Sequence, residues 1–198
     1  MHFVPNEVYH IYNRGNNRQK VFFSEENYLF FMRKMEAQLI PFCEILVWCL
    51  MPNHFHLIIS TNESSCKPRN SFGTGSVQEL SYRIGIMLSS YAQAVNKQHG
   101  TSGSLFQLKT KAKILTGSKN AKDKDYLVNA MHYCHQNPLR AGLVKKIEDW
   151  PYSSFPGYCR IKEDDITNKQ LLLDLTGYSL DTFYSDSYGR MEGFELEE

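Results

Sequence analysis

Apolar and polar positions alternate with a period of two in some stretches of this chain and recur every three to four residues in others. Val8 to Asn13 reads as a strand, ending in the turn Arg14-Gly15-Asn16-Asn17-Arg18. Ser24, followed by Glu25 and Glu26, starts a helix that carries Tyr28, Phe31, Met32 and Met35 at helical spacing and stops at Pro41. Cys43 to Leu50 is apolar enough for a buried strand, and the Pro52-Asn53 turn leads it into a second strand from His54 to Ser60, as a hairpin. Asn62 to Ser76, rich in small and polar residues, reads as a loop. Val77 to Asn96 reads as a long helix closed by Gly100. Leu105 to Thr116 alternates in its second half, with Leu108, Thr110, Ala112 and Ile114 expected on the core side and Lys109, Lys111 and Lys113 on the other. Gly117 to Lys124 reads as a basic loop. Asp125 then caps a helix from Tyr126 to about Gln136, which Pro138 is expected to end. Trp150 to Phe155 forms an aromatic turn, and from Ile161 the periodicity fades except for a short helix around Leu171-Leu172-Leu173.

Composition narrows the class. The chain has 198 residues, 42% hydrophobic and 22% charged, which suits one globular domain with an extension. No apolar run approaches the roughly 20 residues of a membrane span, and the start lacks a signal-peptide pattern, so a cytoplasmic protein without membrane contact is expected. Cys43, Cys49, Cys66, Cys134 and Cys159 are odd in number and form no C-x-x-C pair, which argues against a structural zinc site and against disulfides. The net charge of +1 conceals an asymmetry. Ser64 to Lys124 holds ten cations against two acids, and Ile161 to Glu198 holds ten acids against three cations. A basic middle suggests a polyanion as partner, with an acidic segment able to shield it.

The chemistry centres on Met51-Pro52-Asn53-His54-Phe55-His56-Leu57. In a strand, His54 and His56 project from one face while Phe55, Leu57 and Ile59 face the core. Paired imidazoles suit Zn, Mn, Fe, Ni or Cu, and a site completed by an amide oxygen and phosphate would also take Mg or Mn. Tyr133 and Asn137, four residues apart, share one helix face. Should that face look onto the histidine pair, Asn137 could complete the metal site, and the Tyr133 phenol could attack a phosphodiester to give a phosphotyrosine, conserving the bond for rejoining. Tyr91 and Tyr126 are rival nucleophiles, but Val95 and Ala130 stand four residues on, where a polar partner is needed. His10, His132 and His135 read as structural before they read as auxiliary ligands. Arg14, Arg18, Lys109, Lys111, Lys113 and Arg140 are the candidate DNA contacts.

Four motifs in order carry a resemblance. They are Val8-Tyr9-His10-Ile11-Tyr12-Asn13-Arg14-Gly15-Asn16-Asn17, the His54/His56 stretch, Tyr91 to Lys97 leading to Ser102-Gly103-Ser104-Leu105-Phe106-Gln107, and Tyr133 to Val144. Together, over about residues 7 to 157, they resemble the single-tyrosine HUH transposases, and most of all the REP-associated tyrosine transposases. The resemblance implies an α+β, ferredoxin-like fold with a central antiparallel sheet flanked by helices, and a catalytic domain at residues 1–160; the acidic C-terminal extension at 161–198, read from its charge, lies outside the match. It implies Mg or Mn on His54, His56 and Asn137, and Tyr133 as the nucleophile that cleaves single-stranded DNA and keeps the 5′ phosphate. It also implies hairpin-forming single-stranded DNA as substrate, a homodimer, and association with the nucleoid when bound to DNA. Where the family often has Gly-Arg-Phe or Gly-Arg-Tyr after Gln107, this chain has Leu108-Lys109-Thr110. A hairpin-binding protein that has lost catalysis is the alternative from another class, and a phosphodiesterase using water is a third.

Overall fold

The computed structural model describes residues 1–71, 75–116 and 121–189. Its centre is a four-stranded antiparallel sheet of β1 (Val8–Arg14), β2 (Cys43–Met51), β3 (His54–Thr61) and β6 (Lys111–Ile114), in the order β2-β3-β1-β6. The helices α1 (Glu25–Gln38) and α3 (Glu79–His99) connect the strands in the βαββαβ order of a ferredoxin-like fold. They cover one face of the sheet. Phe31 and Met35 from α1, and Ile84, Met87 and Tyr91 from α3, close over Ile11, Leu50, Phe55, Leu57 and Ile59. The other face is covered by α4 (Ala121–Arg140), whose Leu127, Ala130, Met131 and Cys134 pack with Val8, Val47 and Ile58. Phe55, Leu57 and Ile59 therefore do face the first core, as their alternation predicts.

The β2–β3 hairpin turns at Pro52-Asn53 as expected, with Met51 opposite His54. The register shifts between Ile45 and Val47, so Leu46 is an extra residue in the ladder. That bulge flips the parity of β2: Ile45 belongs to the first core, and Leu46 and Val47 to the second. The Leu46 carbonyl accepts a hydrogen bond from the Tyr158 hydroxyl at 2.7 Å. The outer edge of β2 is further occupied by Leu50 N–H to the Tyr152 carbonyl (2.8 Å) and Asn168 N–H to the Ile45 carbonyl (2.8 Å), which blunts an otherwise pairing-prone edge.

Several expectations are corrected. The segment from Asn62 to Ser76 is not simply a loop: α2 (Glu63–Cys66) is started by a capping box at Asn62, and β4 (Pro68–Ser71) pairs with β5 (Gly75–Gln78). Residues 72–74 lie outside the described residues. So do residues 117–120 of the expected basic loop, and the helix that follows begins at Ala121 rather than after Asp125. Pro138 does not end that helix but lies inside its last turn. The end comes at Gly142, in the left-handed region at φ 69°, where Leu143 N–H reaches the Pro138 carbonyl and Gly142 N–H the Leu139 carbonyl. This is a Schellman closure, and a proline one turn before it displaces few intrahelical bonds. Leu108, expected on the core side, is 96% exposed, because the strand begins only at Lys111.

The segment after Ile161 is built onto the body. After the short helix α5 (Phe155–Tyr158) come α6 (Lys169–Thr176), around the three leucines, and α7 (Phe183–Ser187). Leu172 and Phe183 are buried in the same cluster as α4. Among the described residues no helix is long and apolar enough to cross a membrane.

Candidate active site

The histidines of β3 lie on the sheet face that α4 covers. His54 and His56 stand side by side with ring centroids 4.9 Å apart. His54 Nδ1 is 2.6 Å from the Asn53 carboxamide oxygen, so an Nδ1 proton donates there and Nε2 remains as the ligand atom. His56 is 1% exposed and its Nδ1 lies 2.9 Å from Nε2 of His10, which β1 brings alongside. Burial pushes His10 down to about 3, with Lys113 adding to it. Burial, and after it the neighbouring His10, His54 and Arg14, holds His56 well below the usual histidine range. Both are neutral near pH 7, the state in which imidazole binds metal.

Tyr133 reaches this pair from α4. Its ring stands edge-on to that of His56 at 6.3 Å between centroids, and the Arg140 guanidinium lies over the Tyr133 ring at 5.0 Å from its centroid. Asn137, one turn further along, donates from its carboxamide nitrogen to the Tyr133 carbonyl at 3.1 Å. That bond engages the nitrogen and leaves the carboxamide oxygen as the atom with ligand character. Tyr91 is removed from contention. It is buried in the core on the opposite sheet face, where its hydroxyl donates to the Val21 carbonyl at 2.6 Å. Tyr126 lies two turns before Tyr133, beneath the Lys113 ammonium at 5.8 Å from its ring centroid.

The candidate DNA contacts divide into groups. Arg14, Lys109 and Lys111 line one cavity of about 230 Å³ together with Tyr12, Asn13 and Gln107. Tyr12 joins it to the histidines: its ring stacks on His10 at 4.8 Å and lies 6.2 Å from that of His56, with Lys111 Nζ 5.5 Å from its centroid. Asn13 fixes the cavity wall by donating to the Gln107 carbonyl and the Thr110 hydroxyl. Arg18 sits in a 3-10 turn beside the hairpin turn, its carbonyl 3.5 Å from the Asn53 carboxamide nitrogen. The turn needs Gly15, since a Cβ there would lie 2.1 Å from the Gln19 carbonyl oxygen. Lys113 pairs opposite His10 in the sheet, apart from the cavity that holds Lys109 and Lys111.

Sequence reasoning missed Tyr12 and undervalued His10 and Cys134. His10, His56 and Cys134 present ligand atoms within 4.8 Å of one another, a buried group able to hold a metal. The signal for the first two was present. His10 and Tyr12 are two apart on β1, so they share a face by the same alternation that pairs His54 with His56.

No family model matches the chain. A curated Haemophilus influenzae protein named as a REP-associated tyrosine transposase is 24% identical over 131 residues, 62% of this chain and 64% of that protein. The match thus spans just under two thirds of that relative's length. The solved structure of a REP-associated tyrosine transposase bound to a REP hairpin superposes with a TM-score of 0.59 at 18% identity, covering 85% of this chain and 92% of that one. A bacterial tRNA(His) guanylyltransferase-like protein in complex with GTP superposes at 0.39 with 7% identity, covering 72% and 70%, too little to carry an argument. The chain is similar to the REP-associated tyrosine transposases in sequence, and its α+β fold is theirs.

Proposed function

We propose that this chain is a strand transferase that cuts and rejoins single-stranded DNA at hairpin-forming sites, with Tyr133 as the nucleophile. The observation that carries the reading is the edge-on approach of Tyr133 to His56 from a helix 77 positions along the chain. A structural tyrosine has no need of a paired-imidazole face, and an adventitious His-x-His has no need of a tyrosine. The likeness to proteins named as tyrosine transposases points the same way.

In this reading His54 and His56, with the Asn137 carboxamide oxygen, would hold a divalent cation, Mg or Mn. The donor set fits, because both imidazoles are paired through a neighbouring group at Nδ1 and Asn137 has its nitrogen engaged. When bound, the cation neutralises charge developing on the phosphoryl oxygens. The protein's own side chains do the rest. The cavity formed by Arg14, Lys109 and Lys111 binds the backbone of the strand beside the scissile phosphate, while Arg18, Lys113 and Arg140 extend the positive surface. Tyr133 loses its proton to water, and its oxygen bonds to phosphorus. The bond from phosphorus to the 3′ oxygen breaks, that oxygen takes up a proton, and the 5′ phosphate stays on the tyrosine. Attack by another 3′ hydroxyl reverses the step and joins new ends. The Arg140 guanidinium, 5.0 Å from the Tyr133 ring centroid, adds a cation beside the nucleophile's ring.

The test is a covalent adduct. Hairpin oligonucleotides taken from inverted repeats around the coding gene, labelled at the 3′ end, are incubated with the protein and Mn²⁺ and run under denaturing conditions. Wild type and Tyr12→Phe should retain label on the protein, and Tyr133→Phe should lose it. If Tyr133→Phe forms the adduct as readily as wild type, the assignment is wrong. Hairpin binding with no adduct in any variant would leave the non-catalytic binder.

A further inference from the structure

His10 is 0% exposed, and it comes from β1, 46 positions before the histidine it touches. Its ring lies nearly parallel to that of His56, at 10° and 5.1 Å between centroids, and stacks on that of Tyr12 at 4.8 Å and 18°. The Nε2 of His10 is 2.9 Å from Nδ1 of His56. Two neutral imidazoles at that distance share one proton between them, and which ring carries it decides which nitrogen of His56 offers a lone pair.

Resting on the metal site proposed above, we infer that His10 is a positioning residue for His56: it accepts the Nδ1 proton of His56, so that Nε2 of His56 faces the cation. Two observations support this. First, the neighbouring histidine has the same device from another source, since His54 Nδ1 meets the Asn53 carboxamide oxygen at 2.6 Å. Both β3 histidines are thus engaged at Nδ1, which selects one tautomer and one ring orientation for the pair. Second, the remaining nitrogen of His10, Nδ1, is buried and has no hydrogen-bond partner among the described residues. A residue kept only for packing would leave no polar atom stranded, because phenylalanine or leucine fills that space without one. The arrangement makes sense when the Nε2 acceptor is what matters.

The experiment compares wild type with His10→Phe, His10→Leu and His10→Gln, where glutamine places an acceptor oxygen near the position of Nε2. Mn²⁺ affinity is read from the free-ion electron paramagnetic resonance signal, without DNA or turnover. Thermal unfolding without metal shows which variants are folded. Folded His10→Phe or His10→Leu should bind Mn²⁺ about 10–100-fold more weakly, the usual effect of losing such a partner, and His10→Gln should recover most of the affinity. Pulsed spectra should show nitrogen couplings from two imidazoles in wild type. Affinity equal to wild type in the folded phenylalanine or leucine variant overturns the inference. A folded glutamine variant as weak as they are, or couplings from three imidazoles, also overturns it. If wild type binds no Mn²⁺ and His54→Ala changes nothing, the metal site itself falls and this inference with it.

Discussion

Tyr133 on α4 and His56 on β3 meet edge to face, with ring centroids 6.3 Å apart and ring planes at 86°. Nothing local in the chain dictates that meeting. It follows from β3 lying inside the sheet, with its histidines on the face away from α1 and α3, and from α4 covering that face through Leu127, Ala130, Met131 and Cys134. The resulting site mixes neutral imidazoles, a phenol and a guanidinium at the margin of a basic cavity.

Metal removal should separate cutting from binding. The basic cavity does not depend on the cation, so chelation should leave hairpin affinity within about threefold of its starting value and abolish the covalent adduct; a threefold change is under ~1 kcal/mol. His54→Ala and His56→Ala should do the same. Electrophoretic mobility and adduct assays on the same samples check it. Loss of hairpin binding on chelation would place the cation in DNA recognition instead.

The cavity lysines should set the salt dependence. Lys109 and Lys111 share a cavity with Arg14, and each phosphate contact contributes about 0.7 to the slope of log affinity against log salt on a single strand. Lys109→Ala with Lys111→Ala should therefore flatten that slope by about 1.4. Lys34→Ala, on α1 across the sheet, should leave it unchanged. Fluorescence anisotropy with a labelled hairpin from 50 to 300 mM salt, an interval on the order of those over which such slopes are read, decides the matter.

Acid should destabilise the fold through its buried histidines. Burial brings His132 down to about 4 against an opposing pull from Asp186, and burial holds His135 well below the usual range. Between pH 6.5 and about 4 the unfolded chain binds the His132 proton and the folded chain does not. Stability is therefore complete above that window and falls as pH drops through it, by roughly 1.4 kcal/mol per pH unit for each such histidine. Urea midpoints at several pH values measure the slope. His132→Asn, able to keep a polar contact to the Ser187 hydroxyl that lies 3.0 Å from Nδ1, should reduce it by one histidine's share.

Phe183 should behave as a core residue despite lying in an acidic segment. Its ring packs against His132, His135, Phe155 and Tyr158 at centroid distances of 5.1 to 5.8 Å. Phe183→Ala should cost about 3–5 kcal/mol in one cooperative unfolding transition. A loss below about 1 kcal/mol, the scale of a surface substitution, would show the segment to be a detachable appendage. Gln136, whose carboxamide donates to the Ser187 and Gly189 carbonyls, ties the same segment to the helix that carries Tyr133.

Much of the scaffold was legible. Strand alternation placed Phe55, Leu57 and Ile59 inward, and the Pro52-Asn53 turn and Gly100 closure stand where composition put them. Boundaries set by competition were less readable. Proline was expected to stop α4 at Pro138, but the Schellman closure at Gly142 and packing on the sheet carry the helix through. The polar composition of Asn62 to Ser76 hid a capped turn of helix and a hairpin, which the Arg69–Glu79 ion pair ties to α3. The bulge at Leu46 was invisible, because an extra residue in an all-apolar run leaves no break in the pattern.

By itself the sequence determined what a few consecutive residues can decide: that His54 and His56 share a face, and that Tyr133 and Asn137 share another. Backbone geometry repeats every two residues in a strand and every 3.6 in a helix, so such neighbours are set by the chain's own covalent spacing. Only the tertiary structure decided that these faces meet. Only it brought His10 and Tyr12 beside His56, put Cys134 within reach of them and buried Phe183 under α4. Those relations depend on strand register and on which surfaces exclude water together, and both are properties of the whole packed chain rather than of any stretch within it.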